Sequence, residues 1–183
     1  MRSLSISSAI AACLVSPYSL ALDAHVHGAA VLEVAKEGGE IEAVLRSPMA
    51  NIVGFEYEAR SAEDKATQAN ALETLKNANN ILKLSASAHC LSDNVEVVLG
   101  HDDHDGHDDH DGHDDHDGHE DHEGHADITV TYRFTCSNPD ALTDMNVGLF
   151  DAFNRVEKLH VNLITDKGAQ QFELTPSSNH FKF

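Results

Sequence analysis

Past its first twenty residues the chain has no stretch long and apolar enough to span a membrane. No Gly-rich phosphate loop and no nucleophile elbow is present, so no catalytic set emerges and an enzyme is not expected. Cysteine is scarce, with three among 183 residues, and basic side chains number only 12 against 31 acids. The missing positive charge excludes nucleic acid and anionic lipid as partners.

The acidic excess is local. Between His101 and His125 lie 12 of the 31 acids and no Lys or Arg; the rest of the chain carries 19 acids against 12 bases, an ordinary balance for solubility. With 41% apolar residues, the remainder is long enough for one domain with a real core.

The N-terminus reads as an export leader. Arg2 supplies the positive start, Leu4 to Val15 an apolar run, and Ser19-Leu20-Ala21 a small-x-small cleavage pattern. Residues 1–21 are therefore expected to be a signal peptide, and residues 22–183 one domain interrupted at 100–126. Ile10-Ala11-Ala12-Cys13 also fits a lipoprotein processing box, in which case Cys13 would be acylated and tether the protein to a membrane. Either route exports the chain, with the periplasm as its expected destination. Cys90 and Cys136 then remain as a pair, and an even pair in an oxidising compartment is most economically a disulfide. The alternative, a Cys/His zinc site, would need both thiols kept reduced.

Apolar periodicity organises the rest into ββα–ββα–ββ, an α+β fold with helices packed on antiparallel sheet. Val31–Val34 and Ile41–Leu45 are strands joined across Gly38-Gly39, and Ser47-Pro48 ends the second. Ser61 is the expected N-cap, with Asp64 three residues on, of a helix running to Leu84 whose buried face is Ala71, Leu72, Leu75, Ala78 and Leu82. Asn138-Pro139-Asp140 opens an expected helix to about Phe153, with Leu142, Met145, Leu149 and Phe150 inward. Leu159, Val161 and Leu163 alternate as a strand, Asp166-Lys167-Gly168 turns, and Phe172 and Leu174 form the last strand.

Two alternating runs, Val95–Leu99 and Ile128–Phe134, flank the acidic segment as the arms of one hairpin, with the segment inserted at its tip. Opposing Cys90 to Cys136 places Val97 against Thr129, whereas opposing Val97 to Val130 satisfies the core. Both hold if one residue bulges near Ser92 to Asn94, or if the disulfide lies just beyond the strand.

The insertion nearly repeats His-Asp-Asp-His-Asp-Gly. Histidine falls at His101, His104, His107, His110, His113, His116, His119, His122 and His125, with no aliphatic or aromatic residue between them. Such a composition cannot build a core and is expected to stay disordered until something binds. Zn(II) is the natural binder: neutral imidazole is a favoured ligand, and the aspartates can ligate, orient the rings or draw in cations. Using two to four histidines per ion, nine hold roughly two to four zinc ions. Cu(II) and Ni(II) would bind such a run at least as well. A merely solubilising, pH-sensitive linker is the bland alternative, but solubility does not require evenly spaced histidine.

Two similar motifs do not fit. Aligning Gly106 on the turn of a calcium loop puts His101 first and Gly112 at the bidentate Glu position. His119-Glu120-Asp121-His122 lacks the four-residue His spacing of a zinc protease helix.

His25 and His27, two apart at the start of the first strand, point to one face and form a candidate chelating pair. His89, beside Cys90, is a weaker candidate; His160 and His180 read as ordinary. The set His25-Val26-His27-Gly28, Ser47-Pro48, Gly54-Phe55-Glu56, Ala88-His89-Cys90, the His/Asp insertion, His125-Ala126-Asp127, Tyr132-Arg133-Phe134-Thr135-Cys136 and Leu149-Phe150 resembles the ZrgA family of zinc-regulated periplasmic proteins. That resemblance implies zinc binding and assistance to zinc uptake beside a zinc ABC importer and its solute-binding protein. The family pattern carries a His after Gly-Phe-Glu; Tyr57 stands there instead, implying a folded-domain site that is weaker or differently built. A zinc buffer or detoxification protein, and a non-metal envelope interaction domain, are the competing readings.

Overall fold

A computed structural model describes residues 26–101 and 126–183. Residues 1–25, with the expected leader, Cys13 and His25, and the histidines from His104 to His125 lie outside the described residues, and so do the expectations placed on them.

The first two strands, β1 (Ala29–Glu37) and β2 (Glu40–Pro48), form the expected hairpin, with Glu37 opposite Glu40 across Gly38-Gly39. Three helices come next: α1 (Met49–Ile52), α2 (Ala62–Lys76) and α3 (Ala78–Ile81). Ser61 caps α2 as the sequence predicts, its Oγ accepting the Asp64 N–H at 3.0 Å. The helix expected to reach Leu84 is shorter. Asn77 leaves helical geometry at φ −82 and ψ 78, and after α3 the chain extends into β3 (Leu82–Leu84). The face chosen from periodicity still points inward: Ala71, Leu75, Ala78 and Leu82 are buried, and Leu72 is partly so.

After a 3-10 turn at Ala86–Ala88 come β4 (Cys90–His101) and β5 (Ala126–Cys136), the arms of the predicted hairpin. Val97 pairs with Val130 and Cys90 with Cys136, and the register shifts between Ser92 and Asn94. The bulge therefore lies where the two pairing demands collide. Cys90 and Cys136 are joined as a disulfide across a separation of 46 residues.

The expected helix from Asn138 to Phe153 is not formed. Its place is taken by a 3-10 turn (Pro139–Ala141), β6 (Asp144–Val147) and a single helical turn, α4 (Leu149–Ala152). Leu142, Met145, Leu149 and Phe150 are nonetheless buried. The chain closes with β7 (Lys158–Thr165), β8 (Gly168–Leu174) and a short β9 (His180–Lys182) that places His180 in a strand rather than in a tail.

The α+β class holds, but the simple ββα order does not. The described strands form a six-stranded sheet, β4-β5-β2-β1-β7-β8, and a three-stranded sheet, β3-β6-β9. In the larger sheet β1 and β7 run parallel; its other neighbours are antiparallel. One face carries Leu32, Leu45, Val130 and Val161 on adjacent strands, all at 1% exposure or less, in one core with Leu75, Ile81 and Met145. The other face is polar and bears the ion pairs Arg133–Glu42 (2.8 Å), Lys158–Glu173 (3.2 Å) and Arg46–Glu33. Such surface pairs contribute about 0–1 kcal/mol each, so the buried face carries the stability.

Candidate metal-binding site

Strand direction brings three distant segments to one end of the large sheet. Register pairs Gly100 with Asp127 and Asp127 with Pro48, and the β1–β2 ladder carries this row on to the start of β1 at Ala29, which lies beside Lys158. The two roots of the insertion, His101 and Ala126, therefore leave the sheet at the edge where His27 and Gly28 enter it. At about 4.8 Å per strand, β1 lies about 10 Å from β5 and about 14 Å from β4. The disulfide closes the opposite end of the hairpin.

The backbone around His27 is held tightly. Asn51, 2% exposed, accepts the Gly28 N–H at 2.7 Å and donates its amide to the Ala29 carbonyl at 2.8 Å and to Ser47 Oγ at 3.1 Å. From the other side, the N–H groups of Glu157 and Lys158 both donate to the Gly28 carbonyl, at 2.8 and 3.0 Å. Gly28 needs its glycine: φ is +84, and a Cβ would stand 3.5 Å from the Glu157 carboxylate.

The His27 ring, held on this clamp, meets Glu56 with Nε2 2.9 Å from Oε1. The histidine side chain is 66% exposed and the glutamate 15%, so the pair sits half in solvent with its carboxylate sheltered. Gly54, at φ +92, turns the chain into this segment, and the Arg155 guanidinium packs where its side chain would be. Phe55 and Tyr57, on either side of Glu56, line a cleft of about 250 Å³ together with Leu99 and Ala126 at the roots of the insertion. Tyr57 stacks on Phe55 (centroids 4.8 Å apart) and faces Asp64 at 3.5 Å.

Imidazole is a donor zinc takes, and a carboxylate hydrogen-bonded to it can orient the ring, so His27 with Glu56 fits the ion chemically but supplies only part of a site. Among the described residues no group of three or more His, Cys, Asp or Glu could hold a metal. Of the predicted ligands the structure places His27 beside a carboxylate and the backbone of His101 at the same sheet edge. His89 is exposed, with φ +50, at the disulfide end and far from His27 along the sheet. His160 sits 3.9 Å from Glu173, which Lys158 already engages. Neither joins the site. Sequence reasoning quotes Glu56 only within the resemblance and misses its pairing with His27, because the two are 29 residues apart and a lone carboxylate gives no local signal of its partner.

No curated protein matches the chain. A protein-family comparison matches residues 24–183 to the family described as ZrgA family zinc uptake protein. The chain belongs to the ZrgA family of zinc uptake proteins.

Proposed function

We propose that this is an exported, non-enzymatic zinc-binding protein of the periplasm that captures Zn(II) and assists its acquisition. The nine histidines from His101 to His125 collect the ion; His27, with His25 two residues before it, receives it on the folded domain. A zinc ABC importer and its solute-binding protein are the proposed recipients.

The observation that supports this reading most is the shared sheet edge. A run of exchanging ligands gains by emptying into a fixed one nearby, and the insertion's roots stand about 10 to 14 Å from the strand that His27 opens. Fully extended, half of a 25-residue insertion reaches about 40 Å, so its histidines can visit His27. Single sites in such a run bind modestly, because each ion must order the chain around it. Modest affinity suits collection and release rather than storage. Membership of a zinc uptake family also favours acquisition over buffering.

Calorimetric zinc titration of the mature chain, beside a full-length variant with all nine insertion histidines replaced by glutamine, tests the reading. The variant is expected to lose about two to four zinc ions per chain. Equal stoichiometry in the two proteins would remove the insertion from the function. Expression rising under zinc depletion supports acquisition, whereas induction by excess zinc would favour the buffering alternative.

A further inference from the structure

The geometry points to Glu56 as a positioning residue that makes Nδ1 of His27 the metal-binding atom. This rests on the proposal that His27 takes zinc. An ionised carboxylate only accepts hydrogen bonds, so the ring nitrogen facing Glu56 at 2.9 Å carries the proton. That nitrogen is Nε2. The lone pair is then on Nδ1, which has no hydrogen-bond partner among the described residues and belongs to a side chain 66% exposed.

Glu56, His27 and an incoming ion thus form the carboxylate–histidine–metal arrangement, in which the carboxylate fixes the tautomer and makes the ring a better donor. Two features hold the ring against Glu56. The Glu56 carboxylate is 15% exposed, so water competes poorly for it. The backbone that carries the ring is clamped at Gly28 by Asn51 on one side and by the Glu157 and Lys158 amides on the other.

The test uses the full chain with its nine insertion histidines changed to glutamine, so that insertion ligands do not mask the folded domain. Zinc sulfate is the probe. The ring nitrogens of His27 are read by nitrogen-15 NMR with and without zinc, and affinity is read by competition with a chelating dye. Zinc is expected on Nδ1 while Nε2 keeps its proton. Glu56→Ala is expected to move zinc to Nε2 and to weaken binding 10- to 100-fold. Glu56→Gln, which keeps an accepting oxygen, is expected to hold zinc on Nδ1 with a smaller loss. Unfolding in urea should be alike in all three. Zinc on Nε2 of the parent, or binding that weakens in Glu56→Ala while Nδ1 ligation persists, overturns the inference, the latter because it makes Glu56 a direct ligand. If His27→Ala leaves zinc affinity unchanged, the reading of His27 itself fails instead.

Discussion

The side-chain oxygen of Asn51 accepts the Gly28 N–H at 2.7 Å, so a buried amide from the first helix latches the chain one residue after His27. The Asn51 amide nitrogen also serves the Ala29 carbonyl and Ser47 Oγ, so one side chain pins the entry to β1 at two points and ties it to the end of β2. Asn51→Ala takes this partner from the part-buried Gly28 N–H and Ala29 carbonyl. It is expected to cost about 1–3 kcal/mol in urea unfolding, and to weaken zinc binding by the folded domain in the insertion-glutamine background. A variant as stable and as tight as the parent would show that the latch is dispensable.

The disulfide gives a second expectation. Closing a loop of 46 residues restricts the unfolded chain by about 4 kcal/mol in the chain-entropy account. Cys90→Ser with Cys136→Ser should therefore lower Tm by about 10 °C. Zinc stoichiometry should not change, because the bond sits at the sheet end away from the insertion. Loss of zinc sites with the disulfide would mean that the thiol pair lies closer to the metal chemistry than its position implies.

Tyr132 is fully buried and its hydroxyl has no partner among the described residues. Tyr132→Phe is expected to stabilise the protein by about 1 kcal/mol, since it removes an unmatched hydroxyl and keeps the ring. Burial also pushes the phenol well above its ordinary value of 10.0. With the folded value raised, the neutral phenol's contribution is whole below pH 10 and declines as pH rises beyond it. Urea titrations between pH 9 and 11 should show a steeper alkaline loss in the parent than in Tyr132→Phe; parallel curves would contradict it.

Zinc loading should depend on acid. Protons and zinc compete for the same imidazole lone pairs, so occupancy of the insertion is expected above about pH 6.5 and to fall away below it. Full occupancy retained at pH 5 would contradict ligation by histidine.

The sequence made the β4–β5 hairpin legible in detail because two independent constraints, Cys90 against Cys136 and Val97 against Val130, disagree by one residue; that left a bulge near Ser92 or a disulfide beyond the strand, and the structure has the bulge. The Ser61 cap was legible because its partner is three residues away. Ambiguity entered where apolar spacing serves two periods. Leu142, Met145 and Leu149 suit a helix, but Met145 and Val147 also alternate, and pairing with β3 and β9 decides for a strand. Strands of three or four residues at 82–84, 144–147 and 180–182 are too short to announce themselves, so the second sheet has no signature in the sequence. The parallel pairing of β1 with β7 joins Ala29 to Lys158, and no local pattern reports a partner so distant. The same distance hides Glu56 from His27.

The hairpin that carries the insertion is zipped from Cys90 to His101 and fastened covalently at its far end. Its register is settled without any help from the residues at the tip. Adding or dropping a six-residue unit there changes closure entropy only slightly, because that term grows with the logarithm of length. On the proposed reading, the number of histidines offered to metal is thereby a dial separate from foldedness: units added or removed at the tip would step the ion count up or down while the hairpin beneath keeps its register.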